Sequence, residues 1–315
     1  MIGVIADDLT GAAEIGAVGL RHGLRAEVVL AGEAWGDADL VCVDTDSRSC
    51  APNEAGERSA RAARRLRQQR AEWLYKKTDS VLRGNVTPEL EAIVSELGLH
   101  GALLMPANPS LGRTIVGGRY FVRGQFIHET EFARDPKHPR KSADVRELLA
   151  APASLPLFVR RAEEGLPARG IVIGEAANVA DLREWAALGD KRWLMAGGAE
   201  FFGALLRLPR SRPQPKPSAG KELFVCGSAS EATRNFVARQ DARGVRVFSL
   251  PHEVAQDGLC DADRLNLLAD EVAAALQSTE RVILDVGLPQ VQDVAFAELL
   301  ALRLAVVARE VPLRA

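Results

Sequence analysis

The sequence predicts an α/β protein of two domains, each built on a mostly parallel sheet with flanking helices. Short apolar runs alternate with longer amphipathic segments from residue 3 onward, and a proline-rich stretch divides the chain late. Strands that alternate with helices are typical of parallel sheets. A glycine-rich break between residues 106 and 142 interrupts the pattern and predicts a β-hairpin excursion within the first domain.

The first domain is predicted to span residues 1–207, with its elements in regular succession. It opens with an apolar strand at 3–6, followed by a helix that ends near residue 22, with Thr10 as its candidate cap. Further strands are predicted at 26–30, 40–43, 73–76, 101–105, 171–173 and 193–195, and helices at 53–70, at 88–97, from 179 and from 199.

The second domain follows a predicted linker at 208–220, LPRSRPQPKPSAG, which is rich in proline and lacks apolar periodicity. Residues 221–315 are then predicted to form a partial nucleotide-binding domain. Its strands are expected at 223–226, 245–250 and 282–285, so its sheet should be small.

The composition narrows the classes of function. Hydrophobic residues make up 47% of the chain, charged residues make up 26%, and the formal net charge is −2. These values are typical of a globular protein without the basic excess of a nucleic-acid binder. No apolar run is long enough to cross a bilayer, and no Cys/His spacing indicates a metal site. We therefore expect a cytoplasmic protein without nucleic-acid, membrane or metal-ligating sites.

Polar residues follow the first predicted strand, where Asp7 and Asp8 stand side by side. Open α/β sheets bind ligands in the crevice outside the carboxyl ends of their strands. Two carboxylates there can accept hydrogen bonds from sugar hydroxyls, or one can act as a general base. A helix-capping turn explains the same pair equally well.

A second polar block, KKTDSVLRGN at 76–85, also follows a predicted strand. Its cations, carboxylate and hydroxyl suit a polyhydroxy acid, since an arginine such as Arg83 can hold a carboxylate in a bidentate fork. Lys77 supplies a compact cation, and Asp79 can accept from hydroxyls. The alternative is a surface loop with a Ser/Asn turn.

Two further segments carry candidate residues. The long break contains Asn108 near its start and His128 at a predicted strand tip, although a lone histidine is more often structural. In the second domain, Gly227, Ser228 and Ser230 form a turn between a strand and a helix. Such a turn can aim amides and hydroxyls at a phosphate. It lacks the glycine spacing and lysine of a Walker A motif, and Ser230 can equally serve as a helix cap.

Taken together, these blocks resemble one family. IADDLTGA at 5–12, KKTDSVLRGN at 76–85, ANPSLGRT at 107–114 and FVCGSAS at 224–230 are similar, in this order, to the four-carbon acid sugar kinases. The resemblance implies phosphorylation of a hydroxyl of threonate, erythronate or a 3-oxo-tetronate, with ATP and Mg²⁺ as cofactors. It implies that the acid-sugar site is lined by Asp7, Asp8, Lys77, Asp79, Ser80 and Arg83, and that one of the three aspartates, all of them catalytic candidates, orients the hydroxyl or takes its proton. It implies nucleotide contacts for Ser228 and its neighbours Gly227 and Ser230, and we add Asn108 and His128 as candidate substrate contacts.

The sequence also departs from the family pattern. A Gly-Gly-(Glu/Asp)-Thr block and a late Lys-Ser-Gly-Gly-Phe-Gly block, both typical of the nucleotide domain, are not found in it. We therefore expect a nucleotide domain that is cut short, and we keep a second hypothesis. In that hypothesis the protein binds a sugar acid without catalysis and has lost its ATP site. We also expect that a homodimer can form, with the predicted hairpin at 117–128 as its arm.

Overall fold

The computed structural model describes residues 1–30, 32, 34–135, 137–149, 154–206, 220–251, 262–288 and 293–314. The chain divides into two compact units, Met1–Lys216 and Pro217–Ala315. The predicted linker at 208–220 lies outside the described residues except for its last position. The predicted domain limits therefore stay a prediction.

The first unit is organised around a parallel sheet of eight described strands. They are β1 (Ile2–Ala6), β2 (Ala26–Leu30), β3 (Leu40–Asp44), β4 (Trp73–Lys77), β5 (Gly101–Met105), β9 (Leu157–Arg160), β10 (Gly170–Gly174) and β11 (Trp193–Gly197). Their spatial order is β2-β3-β1-β4-β11-β5-β10-β9. The half-buried edge strand β9 was not predicted from the sequence, but the others were, because they read as apolar runs.

Helices cover both faces of this sheet. They are α1 (Leu9–Arg21), α2 (Pro52–Gln68), α3 (Val86–Leu97), the short α4 (Val145–Leu148), α5 (Val179–Ala187) and α6 (Ala199–Leu206). One core packs α2 and α3 against Ile5, and the other packs α1, α5 and α6 against Val4 and Ala6. Neighbouring side chains of β1 thus enter opposite cores, which is why this strand is apolar at every position.

The predicted hairpin excursion is confirmed as a small antiparallel sheet. It consists of β6 (Arg113–Val116), β7 (Arg119–Val122) and β8 (Gln125–Phe126). Two local predictions were wrong. His128 lies in a 3₁₀ turn at Ile127–Glu129 rather than on a strand tip. Helix α1 is capped by Asp8 rather than Thr10, because the Asp8 carboxylate accepts the amide proton of Gly11.

The second unit holds a small parallel sheet, as predicted. Its described strands are β12 (Glu222–Cys226), β13 (Arg246–Ser249) and β14 (Arg281–Asp285), in the order β12-β14-β13. Its described helices are α7 (Glu231–Asp241), α8 (Ala262–Ser278) and α9 (Val294–Arg314). The predicted α/β fold class with mostly parallel sheets is confirmed. Among the helices within the described ranges, none is long and apolar enough to cross a membrane.

Close strand packing in the first unit can be tested at Gly101. A Cβ atom there would lie 1.8 Å from the carbonyl oxygen of Gly170 and 2.8 Å from the Trp193 ring. Gly101→Ala should therefore lower the free energy of unfolding by about 3 kcal/mol, measured by urea denaturation. Gly203→Ala is the matched control, since its Cβ would meet nothing closer than 3.6 Å. That change should be neutral or slightly stabilising in a helix, and equal effects of the two changes would contradict this account of the packing.

Candidate functional site

The candidate site lies at the carboxyl edge of the large sheet, where the strand order reverses. The chain passes from β1 to β2 on one side of β1 and later enters β4 on its other side. The segments that follow β1, β3 and β4 therefore emerge next to one another. Open α/β sheets form their ligand crevice at such a reversal. Both polar blocks predicted from the sequence, around Asp7 and around Asp79, lie here.

The guanidinium of Arg48 lies among three carboxylates at this edge. Its Nε donates to Asp7 Oδ2 at 2.6 Å, and its Nη1 is 2.7 Å from Asp8 Oδ2 and 3.8 Å from Asp79 Oδ2. Burial alone would lower the pKa of Arg48, but the three carboxylates raise it above its ordinary value. Arg48 therefore stays charged and joins the segments after β1, β3 and β4.

Asp8 both caps a helix and contributes a charge to the cluster. One oxygen, Oδ1, accepts the amide proton of Gly11 at 2.8 Å and caps helix α1. The other oxygen, Oδ2, pairs with Arg48. The capping explanation is therefore correct for this residue, and its charge still belongs to the cluster.

Asp79 is held by a dense set of donors. Its Oδ1 accepts the amide protons of Val81 and Arg83 at 3.0 and 3.1 Å, and its Oδ2 accepts from Arg83 Nη2 at 2.8 Å. Arg83 also donates to Asp135 Oδ2 at 2.9 Å. Burial works to raise the pKa of Asp79, but Arg83 and Arg48 outweigh it and hold that pKa far below its ordinary value.

Asp7 differs from both neighbours. It is 2% exposed, and only its Oδ2 is engaged, by Arg48. Its Oδ1 has no hydrogen-bond partner among the described residues. A buried carboxylate oxygen with unused lone pairs is an acceptor that a ligand hydroxyl can satisfy. Asp7 is thus the member of the cluster with capacity to act on a ligand.

The other predicted contacts of the first unit lie near strand ends. Lys77, the last residue of β4, donates to the Thr78 carbonyl and pairs with Glu14 Oε2, both at 3.1 Å. Ser80 accepts a hydrogen bond from Arg113 through its hydroxyl. Asn108 is buried just beyond β5, where its backbone bridges to Arg113. These side chains share the carboxyl edge of the sheet with the acidic cluster.

His128 has different surroundings. Its ring stacks on Phe126 with centroids 5.7 Å apart, and Phe126 stacks on Phe121 in the antiparallel sheet. Among the described contacts, none links His128 to Arg48 or to the three carboxylates. Its substrate role stays a prediction, and the hairpin aromatics are what the structure places around it.

Several residues of the cluster were missed by sequence reasoning. Arg48 is the most important of them, and Asp135, which accepts from Arg83, is another. The available signal was the polar run DTDSRS at 44–49, which begins at the last residue of strand β3. Polar residues at the end of an apolar strand are the same signal that identified Asp7.

The second unit contains a cavity of about 500 Å³ at the carboxyl ends of its three strands. Ser228, Thr233, Arg234, Ser249 and Asp285 are among its lining residues. Of the predicted nucleotide residues, only Ser228 lines it. Ser230 caps α7 by accepting the amide proton of Thr233 at 3.3 Å, as the alternative explanation held.

A larger cavity of about 720 Å³ lies at the opposite, amino-terminal edge of the large sheet. Ile2, Trp73 and Trp193, which stand at the beginnings of their strands, contribute to its mostly apolar lining. It contains none of the predicted site residues. Size alone therefore does not indicate the functional site here, and the convergence of charged side chains does. In the described part of the chain, no three His, Cys, Asp or Glu side chains converge as a metal site.

The contacts of Asp79 with Arg83 and Arg48 give a pH-dependent prediction. Its folded-state pKa lies below the unfolded value of about 3.9, so its stabilisation is complete above that pH and declines as the pH falls further. Asp79→Asn should lower the free energy of unfolding by about 2–4 kcal/mol at pH 7. The difference in the free energy of unfolding between this variant and the wild type should be smaller at pH 3 than at pH 7, as measured by urea denaturation.

The control is Asp37→Asn, because Asp37 pairs with Arg25 at the surface and its side chain is 93% exposed. Exposed ion pairs contribute little, so this change should have an effect below about 1 kcal/mol at either pH. An Asp79→Asn deficit of the same size at pH 7 and pH 3 would show that the Asp79 charge is not what stabilises the cluster.

Comparison with known proteins places this chain in a family. The model of the sugar-binding N-terminal domain matches residues 2–205. A D-threonate kinase from Cupriavidus necator is 32% identical over 311 residues, which cover 90% of this chain and 74% of that protein. A D-erythronate kinase from Heliobacterium modesticaldum is 33% identical, and the match covers 73% of this chain but only 58% of that kinase.

A solved structure extends the comparison. It is a DUF1537 protein from Bordetella bronchiseptica, a domain-swapped dimer with bound citrate. It is 26% identical with a TM-score of 0.58, and the match covers 98% of this chain and 80% of that one. The resemblance predicted from the motifs is thereby confirmed, and the chain belongs to the family of four-carbon acid sugar kinases that carry the sugar-binding N-terminal domain.

Proposed function

We propose that this protein takes part in the transfer of the γ-phosphoryl group of ATP to a hydroxyl of a four-carbon sugar acid. The observation that carries the substrate class is the convergence of Asp7, Asp8 and Asp79 with Arg48 and Arg83 at one sheet edge. Carboxylates accept from sugar hydroxyls, and guanidinium groups bind a carboxylate. The kinase activity is supported by the names of the relatives, a D-threonate kinase and a D-erythronate kinase.

The exact acid is part of the proposal, with threonate, erythronate and 3-oxo-tetronate as its members. The bound citrate of the Bordetella bronchiseptica protein supports a site for small hydroxy acids in this fold. Because ATP is the phosphoryl donor, we place the reaction in the cytoplasm.

Asp7 is the proposed general base. Its Oδ1 is the carboxylate oxygen without a described partner, while the oxygens of Asp8 and Asp79 are engaged by backbone amides and arginines. In the proposed step, the substrate hydroxyl gives its proton to Asp7 Oδ1 and its oxygen bonds to the γ-phosphorus. The bond from that phosphorus to the β,γ-bridging oxygen breaks, and ADP leaves. Such transfers depend chiefly on positioning and charge neutralisation.

The nucleotide is proposed to bind in the 500 Å³ cavity of the second unit. Ser228 and Thr233 offer hydroxyls and Arg234 offers a cation, while α7 adds the positive end of its dipole. Gly227 and Ser230 are proposed to shape this turn. Mg²⁺ usually binds through nucleotide phosphates and one or two carboxylates. The cavity lining contains Asp241 and Asp285, and we propose Asp285, at the carboxyl end of β14, as the one that would hold the metal. When bound, the metal would neutralise phosphate charge.

The role of Asp7 can be tested by comparing Asp7→Asn with Asp8→Asn. Both changes remove one charge beside Arg48, but asparagine at position 8 keeps the helix cap. Asp7→Asn should lower kcat by about 100-fold or more, because the proton acceptor is lost. Asp8→Asn should lower it by less than about tenfold. The measurement is ADP release from ATP with each four-carbon acid, and equal losses would overturn the assignment of Asp7.

The competing hypothesis is a sugar-acid-binding protein without an ATP site. Only a ligand of the folded state raises the melting temperature. We expect D-threonate and ATP–Mg²⁺ each to raise it. Ala229→Trp, which should fill the cavity of the second unit, should abolish the ATP effect and keep the sugar-acid effect. Asn235→Trp, at an exposed position of α7 outside the cavity lining, is the control. Stabilisation of the wild type by the sugar acid but not by ATP would favour the competing hypothesis.

We also propose a homodimer, which the domain-swapped dimer of the Bordetella bronchiseptica protein supports. The antiparallel sheet is the proposed arm. Val116 and Phe126 on it are 48% and 36% exposed and offer apolar surface to a second copy. A molar mass near that of a single chain in light scattering at micromolar concentration would rule this out.

A further inference from the structure

A buried ion pair lies beneath the acidic cluster. Lys76 Nζ is 2.7 Å from Glu89 Oε2, and the two side chains are 0% and 2% exposed. Lys76 belongs to the motif that also carries Lys77 and Asp79, yet it points into the core and not toward the cluster. The residues proposed to bind or transform the substrate do not include either member of this pair.

The second carboxylate oxygen of Glu89, which is not the one paired with Lys76, contacts the segment that carries Arg48. Ser47 Oγ donates to Glu89 Oε1 at 2.5 Å and lies 2.7 Å from Thr45 Oγ1. Thr45 Oγ1 in turn donates to the carbonyl oxygen of Ala6 at 2.8 Å. Each hydroxyl has one proton to donate. Ser47 therefore bonds to Glu89, Thr45 bonds to the last residue of β1, immediately before Asp7, and the two hydroxyls lie side by side.

The backbone of the same segment is tied to Asp7 directly. The amides of Ser47 and Arg48 donate to the Asp7 carbonyl oxygen at 3.0 and 3.2 Å. From the other side, Asn85 Nδ2 donates to the Ser47 carbonyl oxygen at 3.1 Å. The Ser47 hydroxyl itself reaches the helix layer below through Glu89.

A contribution to stability does not explain this arrangement. Burying an ion pair costs a large desolvation penalty, and replacing such a pair by apolar residues of similar size is often neutral or stabilising. What apolar residues cannot replace is the acceptor that Glu89 offers to Ser47. The specific contribution of Glu89 is therefore geometric.

We infer that Glu89, held by Lys76, is a positioning residue that acts through Ser47 to hold the Arg48 guanidinium against Asp7 and Asp8. This inference deepens the proposed function, on which it rests for its effect on substrate. Loss of the acceptor removes the tie of the Ser47 hydroxyl, while the bonds from Asn85 and Arg58 to backbone carbonyls of the segment remain. The Arg48 guanidinium is then held less firmly against the carboxylates that meet the sugar acid.

Two double variants separate the acceptor from the charges. Lys76→Met/Glu89→Gln removes both charges and keeps an oxygen for Ser47. Lys76→Met/Glu89→Leu removes both charges and the acceptor. A hydrogen bond to a buried partner corresponds to roughly tenfold or more in an equilibrium constant. The leucine pair should therefore raise the KM for the sugar acid, or weaken its binding, by about tenfold, with a melting temperature within about 4 °C of wild type. The glutamine pair should stay within about threefold of wild type.

Amide hydrogen exchange supplies a readout that needs no substrate. Protection of the Ser47 and Arg48 amides should fall in the leucine pair and persist in the glutamine pair. If the leucine pair does not fold, Ser47→Ala serves in its place, with Ser47→Thr as the variant expected to restore protection and affinity. Equal behaviour of acceptor-free and acceptor-bearing variants in exchange would overturn the inference. Failure of the wild type to bind or phosphorylate any four-carbon acid would instead overturn the proposed function, because the exchange result stands independently.

Discussion

The carboxyl edge of the large sheet depends on the placement of one guanidinium, that of Arg48. Three aspartates end up within 4 Å of it, two after β1 and one after β4. Like charges at such distances repel one another and raise each other's pKa values unless a cation lies between them. Arg48 supplies that cation from a third segment, the one after β3. The strand order and the charge balance are therefore coupled, because the cluster assembles only when all three segments meet.

Within this cluster, chemically identical side chains have different tasks because their surroundings differ. One oxygen of Asp8 accepts a hydrogen bond from the start of α1, and the two oxygens of Asp79 accept from backbone amides and from Arg83. These two carboxylates are structural anchors that also carry charge. Asp7 retains an oxygen without a described partner. The three aspartates differ because nearby donors occupy the oxygens of Asp8 and Asp79, whereas no described donor reaches Oδ1 of Asp7.

The second unit also has polar side chains at the carboxyl ends of a parallel sheet, but its sheet is smaller. Its parallel strands again place hydroxyls and a carboxylate at their carboxyl ends, where the cavity forms. Ser230 and Ser228 stand two residues apart, yet one caps α7 and the other lines the cavity. The hydroxyl oxygen of Ser230 is occupied by the backbone amide at the start of α7, so it is less available to a ligand than the Ser228 hydroxyl. In both units, the hydrogen-bond partners thus distinguish a residue that caps a helix from a neighbour whose polar group is left for other contacts.

Local sequence by itself determined the fold class, most strands and the position of Asp7, Lys77 and Asp79 at strand ends. These follow from short-range periodicity, and the ordered motifs indicated the family. Only the tertiary structure decided which charges meet. Arg48 and Asp7 are 41 residues apart, and Ser47 and Glu89 are 42 apart. Contacts across such separations leave no periodic trace in the sequence, because they arise from strand order rather than from neighbouring residues. The same reason explains why the free oxygen of Asp7 became visible only in the folded chain.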